Sequence, residues 1–150
     1  MYFRLFISLT LAGALASCDT AAKKKAAKKP KETAMTDVSN DVNYQAFIGR
    51  LRKAVSAHDA PTIASMMTPD FAYVLGASAS EDRTGEGVFQ YWDEKGLWPE
   101  LEKVLGQKFA PKGNYMVAPA QFAQDPDYHG SRAGIVMVNG SWKFAYFITD

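Results

Sequence analysis

Cysteine and histidine are scarce in this chain of 150 residues, which contains one cysteine, Cys18, and two histidines, His58 and His129. A single cysteine excludes an intramolecular disulfide, so the folded part depends on a hydrophobic core. Structural zinc takes about four Cys or His ligands, and catalytic zinc takes about three protein ligands. The chain also lacks the Asp-x-Asp-x-Asp-Gly calcium spacing, a Gly-rich phosphate loop and a Gly-x-Ser-x-Gly nucleophile motif. We therefore expect no metal and no cofactor.

Long hydrophobic runs are also lacking, because a membrane-spanning helix takes about 20 apolar residues and no segment reaches that length. An uncharged apolar segment at 5–15 follows the positively charged Arg4. This arrangement is typical of a signal peptide. We expect the residues after it to form a soluble domain that is held at a surface.

The end of the apolar segment reads Leu15-Ala16-Ser17-Cys18 and resembles the lipobox of bacterial lipoproteins at every position. The resemblance implies that residues 1–17 are a lipoprotein signal peptide and that the chain is cut before Cys18. It also implies a diacylglyceryl group on the Cys18 thiol, which makes the membrane a partner of the protein. Two acyl chains anchor a protein far more durably than one.

Two points at this junction stay open. An ordinary secretory signal cut near 14–16 is the alternative interpretation, and it leaves Cys18 as an incidental thiol. Asp19 resembles the signal that retains enterobacterial lipoproteins in the inner membrane, although the rule varies between bacterial groups. We expect an anchored protein of the cell envelope that faces the periplasm, with Asp19 favouring the inner membrane.

Residues 18–40 are predicted to form a disordered, lipid-anchored tether, because they contain six lysines and no aromatic residue. The tether serves either as a solvated spacer or as a basic segment that contacts anionic headgroups. Acidic side chains outnumber basic ones in residues 41–150, so the basic character lies in the tether. We expect no nucleic-acid partner, because a lipid anchor keeps these lysines outside the cytoplasm and no aromatics are interleaved with them.

Residues 41–150 have the length of one domain. Apolar side chains at spacings of three and four predict a first helix at 44–55, which Asn40 or Asn43 would cap. Asp59 is the expected N-cap of a second, short helix. Further elements are predicted as a strand at 71–75, a polar loop at 76–85, helices starting at 88 and 97, and a strand at 115–118. Helices first and strands last predict an α+β domain.

Asn139-Gly140 lies between two apolar segments and predicts a two-residue type I′ β-hairpin. This turn pairs Val138 with Ser141, Met137 with Trp142 and Ile135 with Phe144. Strict alternation then places on one face Ile135, Met137, Trp142, Phe144, Tyr146 and Ile148. It places on the other face Val136, Val138, Lys143, Ala145 and Phe147.

The pattern from Leu51 to Met66, followed by Asp70-Phe71 and a terminal Gly140-x-Trp142-Lys143-Phe144 strand, resembles the nuclear-transport-factor-2-like (NTF2-like) superfamily, which includes the SnoaL-like domains. The resemblance spans about 42–150 and implies N-terminal helices packed on a curved antiparallel sheet. The resulting cone would hold a pocket between sheet and helices.

The resemblance also implies a homodimer that forms through the sheet, for which Val136, Val138 and Phe147 would supply the contact face. Two features depart from the family pattern, namely the helix at 97–105 and a proline-rich stretch at 111–126. Because of these two features, it is open whether this chain forms the long middle strands of the family.

The residue types suited to a site fall into two groups. Aromatic side chains with polar atoms suit a pocket rim, and the ligand-binding candidates are Tyr73, Trp92, Trp98, Tyr115, Trp142 and Tyr146. Asp127 and His129 lie two residues apart and would act as a base, with Arg132 as charge stabiliser. The same stretch is also typical of a turn, because Asp-Pro, Asp and Gly favour turns.

Three functions remain open at this point. The first is a periplasm-facing lipoprotein whose domain binds an unidentified small molecule or envelope protein without catalysis. The second is a small hydrolase or isomerase that uses the family pocket, and it requires His129 to point into that pocket. The third is an envelope structural lipoprotein that acts through its basic tether.

Overall fold

A computed structural model describes residues 36–75 and 86–150. The predicted signal peptide, Cys18, most of the predicted tether and the polar loop at 76–85 lie outside the described residues. The elements of the described part are α1 (Val42–Ser56), α2 (Ala60–Met66), β1 (Met67–Ala72), α3 (Glu86–Lys95), α4 (Trp98–Gly106), β2 (Ala110–Lys112), β3 (Tyr115–Ala118), α5 (Ala120–Gln124), β4 (Arg132–Val138) and β5 (Ser141–Ile148). None of the helices in residues 36–75 and 86–150 has the length and apolar character needed to cross a bilayer.

Short-range hydrogen bonds define both ends of α1. Its N-cap is Asp41, whose Oδ1 accepts the Tyr44 amide at 2.8 Å, so the expected cap at Asn40 or Asn43 is wrong by one or two positions. At the other end His58 has a positive φ of 50°, and the Asp59 amide donates to the Ala54 carbonyl at 2.8 Å. This is a Schellman ending with histidine where glycine is usual. Asp59 then caps α2, as predicted.

The helices pack on a five-stranded sheet with the order β1-β5-β4-β3-β2, which confirms the α+β class. The strands β2, β3, β4 and β5 pair antiparallel, whereas β1 pairs parallel with β5. β1 spans Met67–Ala72 and therefore begins four residues before the predicted strand. The sequence patterns did not predict β2 or α5. β2 is an edge strand, where Pro111 is tolerated because its missing N–H faces no neighbouring strand.

The terminal hairpin has the predicted turn and register. Asn139 and Gly140 both have positive φ, 50° and 77°, as a type I′ turn requires. The observed partners are Val138 with Ser141, Met137 with Trp142 and Ile135 with Phe144, as predicted.

Beyond Phe144 the predicted faces are wrong, because the register between β4 and β5 shifts and Gly134 pairs with Tyr146. One extra residue in a strand moves every later side chain to the opposite face. Phe147 is therefore buried in the core at 1% exposure, and Tyr146 lies on the outer face of the sheet.

The core lies between the sheet and the helix layer of α1, α2, α3 and α4, and Trp92 is at its aromatic centre. Trp92 is fully buried, and its ring meets its aromatic neighbours at interplanar angles between 72° and 83°. These neighbours are Phe71, Phe89, Trp98 and Phe147. Edge-to-face pairs of this kind add to the stabilisation that burial gives. The Trp92 contacts thus join α3, α4, β1 and β5.

On the outer face, the Tyr146 ring lies directly over Gly134 of β4. A Cβ atom at position 134 would overlap this ring. The Tyr146 ring also contacts Tyr115 of β3, with centroids 5.6 Å apart. Glycine at 134 is thus required by the close approach of a side chain.

We predict that Gly134→Ala lowers the free energy of unfolding by about 1–3 kcal/mol, as overpacking does. The same substitution should cost much less when Tyr146 is also changed to Ala, because the ring is then absent. Urea unfolding of the two single variants and the double variant measures this coupling. Gly49→Ala is the control, because nothing lies within 4 Å of its Cβ position inside α1, and we expect it to stabilise by up to about 1 kcal/mol. Additive effects of the two changes would contradict the contact.

Candidate ligand-binding groove

The six aromatic candidates do not assemble into one pocket rim. Trp92, Trp98 and Tyr73 are buried in the core, at 0%, 7% and 8% exposure. Tyr115 and Tyr146 lie together on the outer face of the sheet, where burial raises the pKa of Tyr146 and keeps its hydroxyl neutral. Trp142 lines a groove between α1, α2 and β5.

Asp127 and His129 lie in a surface turn, and Arg132 begins β4 directly after it. None of these three catalytic candidates lines the groove between α1, α2 and β5. The His129 side chain is 89% exposed, and its Nδ1 lies 3.5 Å from Asp150 Oδ2. Arg132 pairs with Asp150 at 2.8 Å, and Asp127 donates its amide to Asp125 Oδ1, an Asx turn. The condition for the enzymatic hypothesis, a His129 that points into the pocket, is not met in this structure.

Asp150 is the anion that organises this turn. Its Oδ1 accepts Arg132 Nη1 at 2.8 Å, and its Oδ2 accepts the Gly130 amide at 2.7 Å. The hydrogen bond from Arg132, followed by that from Gly130, holds the pKa of Asp150 below its usual value. The contact set ties the end of β5 to the turn before β4.

A groove of about 500 Å³ lies between α1, α2 and the beginning of β5. This volume suits a drug-sized molecule, since ligand sites commonly measure about 300–1,000 Å³. One stripe of α1 supplies much of the wall, because positions 47, 50, 54 and 57 recur at helical spacing. Lys53 of α1 also lines the groove. The other lining residues are the α2 N-cap Asp59, three residues of α2, and the first three residues of β5.

The apolar floor of the groove consists of Phe47, Ala54, Met66 and Trp142, all with exposures between 3% and 8%. Trp142 packs edge-on against Tyr44 below it, with centroids 5.0 Å apart. Burial raises the pKa of Tyr44, so this neighbour is neutral. The floor is therefore an uncharged, partly covered edge of the core.

The cationic rim of the groove consists of Arg50, Lys53 and Lys143. Neither Arg50 nor Lys53 forms an ion pair with any residue in 36–75 or 86–150. Lys143 Nζ donates to the Ser65 carbonyl at 2.9 Å, which links β5 to α2 across the groove.

The carboxylate at the groove, Asp59, is engaged by its own helix. Its Oδ2 accepts the Thr62 hydroxyl at 2.6 Å and its Oδ1 accepts the Thr62 amide at 3.2 Å. These bonds from Thr62 hold the pKa of Asp59 below its usual value. Asp59 thus serves as the N-cap of α2, and the groove keeps an excess of positive charge.

The sequence patterns did not predict the rim cations Arg50, Lys53 and Lys143 as site residues. The sequence feature that could have indicated them is a stripe along one face of α1 on which cationic side chains lie between apolar ones. Its partner surface, the start of β5, comes from the other end of the domain and was not visible in the sequence of α1. Within the described residues, no three His, Cys, Asp or Glu side chains are grouped so that they could hold a metal ion.

The outer sheet face carries part of the predicted dimer contact. Val138 is 40% exposed and Tyr115 is 38% exposed, and Val136 lies on the same face. Phe147 is in the core and does not belong to that face. The homodimer stays a prediction.

Comparison with solved structures finds chains of similar structure. The chain is similar to an NTF2-like protein of unknown function from Pseudomonas putida KT2440, at 15% sequence identity and a TM-score of 0.41. The match covers 76% of this chain and 87% of that chain. No protein-family profile and no curated protein matches the chain. The α+β class rests on the helices and strands of the protein itself.

The carboxyl of Asp150 makes stability depend on pH in acid. A carboxyl whose pKa is lower in the folded protein stabilises the fold at pH values above its pKa in the unfolded chain, about 3.9. This stabilisation is lost as the pH falls through the pKa of the folded protein. We predict that Arg132→Gln raises the pKa of Asp150, measured by carboxyl NMR titration, because the hydrogen bond from the Arg132 guanidinium to this carboxylate is removed. Lys112→Gln also removes a cation, but its Nζ donates to the Phe122 carbonyl, and it should leave this pKa unchanged. Equal titration of Asp150 in all three proteins would contradict the assignment.

Proposed function

We propose that this protein is a lipid-anchored lipoprotein of the cell envelope whose domain binds a small ligand in the groove between α1, α2 and β5, without catalysis. The observation that carries the proposal is the groove itself, which combines a volume of about 500 Å³ with an apolar floor and a cationic rim. These features are typical of ligand sites, in which apolar walls carry a small number of polar groups.

The chemistry of the groove favours binding over reaction. A general base must reach the proton that it removes, within about 3.2 Å or through one water. The carboxylate of the groove, Asp59, is held by Thr62 as a helix cap, and the exposed His129 lies in the turn that Asp150 organises. The groove residues therefore suit recognition of charge and apolar surface.

The anchoring part of the proposal rests on Leu15-Ala16-Ser17-Cys18 and the apolar segment before it. A diacylglyceryl group on Cys18 would keep the domain at the membrane, with the lysine-rich tether as a spacer. In this arrangement the domain lies outside the cytoplasm, so the groove meets only ligands that are present on that side of the membrane. The domain would thus act on molecules of the periplasm.

We predict that Cys18→Ser moves the protein from the membrane fraction to the soluble fraction or leaves it as uncut precursor, because the acceptor thiol is gone. Fractionation and intact mass spectrometry measure both outcomes. Ser17→Ala is the matched control, because it keeps a small residue before the cut, and it should remain lipidated and membrane-bound. Unchanged membrane retention of Cys18→Ser at the mature mass would defeat the anchor.

We predict that the groove binds a small molecule and that a large side chain at Ala57 prevents it. The soluble fraction of the Cys18→Ser protein carries no lipid and avoids detergent, and the probes are decanoate, decyltrimethylammonium, decanol and glucose. At 100 times Kd, a ligand stabilises the folded state by about 2.7 kcal/mol, which thermal unfolding detects. Ala57→Phe should abolish the shift, because Ala57 lines the groove.

Ser56→Phe is the matched control for the groove, because Ser56 is exposed on the same helix and does not line the groove. It should bind like the parent. Failure of all four probes to stabilise the parent would count against the groove as a ligand site. Equal shifts in Ala57→Phe and the parent would locate the binding elsewhere and overturn the proposal.

A further inference from the structure

The anionic side chains of the described residues do not neutralise the positive charge of the cationic rim. Arg50 and Lys53 are three residues apart on α1, where side chains are neighbours and like charges repel. Lys143 adds a third cation from β5, and its Nζ donates to the carbonyl oxygen of Ser65. An anion placed among the three would relieve this repulsion.

The acidic side chain at the groove does not supply that anion. Both Asp59 oxygens accept hydrogen bonds from Thr62, so the carboxylate is oriented toward the first turn of α2. Arg50 carries a planar guanidinium with five N–H donors, which matches the two oxygens of a carboxylate or phosphate group. The rim is therefore complementary to the anionic head of an external molecule.

The apolar floor beneath the rim is complementary to an apolar part of a ligand. Trp142 and Met66 come from different elements and meet at the groove with exposures of 7% and 8%. A purely inorganic anion would gain nothing from this surface, whereas a chain or ring would bury it at about 25 cal/mol per Å². The rim and the floor together therefore favour a ligand that has both an anionic group and an apolar group.

We propose that the groove binds a small anionic amphiphile, with its carboxylate or phosphate head at Arg50, Lys53 and Lys143 and its apolar body on the floor formed by Phe47, Ala54, Met66 and Trp142. This inference rests on the proposed function, because it names the ligand class of the same groove. Charge complementarity identifies the head, and the apolar floor identifies the body. The volume of about 500 Å³ limits the ligand to a single-chain or small-ring molecule.

Calorimetry with the full chain carrying Cys18→Ser tests the ligand class. We expect decanoate to bind at least about tenfold more tightly than decyltrimethylammonium or decanol, which share its chain but not its charge. Acetate, which is a head without a body, should bind at least about tenfold more weakly than decanoate. Raising the salt from 0.05 to 0.5 M should weaken decanoate binding, because the rim is exposed and its charges are screened.

Variants of the rim assign the head. Arg50→Gln with Lys53→Gln should weaken decanoate binding at least about tenfold, and Arg50→Lys should weaken it less than Arg50→Gln. Lys103→Gln is the control, because its side chain is 69% exposed on α4, pairs with Glu100, and lies outside the groove. It should bind decanoate like the parent. Unchanged thermal unfolding of the rim variants without ligand shows that they are folded.

Three results would overturn the inference. Decanoate and decyltrimethylammonium binding equally well would show that the rim does not select charge. Decanoate binding that survives loss of both Arg50 and Lys53 would place the head elsewhere. Binding of phosphatidylglycerol vesicles, but not of decanoate, that depends on Arg50 and Lys53 would identify a membrane-contact surface instead. In the first two cases a probe still binds. If Ala57→Phe blocks that binding, the groove remains a ligand site and only the proposed ligand class is wrong.

Discussion

The extra residue in β5 after Phe144 determines which side chains of the terminal hairpin reach the core. Before the bulge, Trp142 and Phe144 face the helices, and after it Phe147 takes that place against Trp92. The same shift moves Tyr146 to the outer face, where its ring covers Gly134. The hairpin thus supplies the core at both ends, and its beginning remains free to form one wall of the groove. A β5 without the bulge would bury Tyr146 and expose Phe147.

The groove depends on this hairpin and on a single stripe of α1. Positions 47, 50, 54 and 57 follow one helical face, and the stripe crosses from the buried Phe47 to the exposed end of the helix. The Lys143 hydrogen bond to the Ser65 carbonyl holds β5 against α2 at the opposite wall. Recognition and packing therefore share residues: Trp142 is both a core side chain next to Tyr44 and the floor of the site.

Local patterns predicted this domain better than non-local ones. The Asn139-Gly140 turn, its register and the Asp59 cap follow from residues within a few positions, and all three are confirmed. The bulge after Phe144 could not be read from alternation, because Ala145 fits either face. Nor could the groove, because Arg50 and Lys143 line the same cavity only after the two ends of the domain pack together. The aromatic candidates were chosen by residue type, and burial distributes them among core, outer face and groove.

The parallel pairing of β1 with β5 carries a consequence for the order of folding. Met67 pairs with Phe144, so an early strand of the domain completes its hydrogen bonds on the last strand. Contacts between residues far apart in sequence require a large loop to close before they contribute. Helices α1 and α2 and the β4–β5 hairpin are local and are expected to form first. Nearly the whole domain therefore has to be synthesised before β1 can pair with its neighbouring strand.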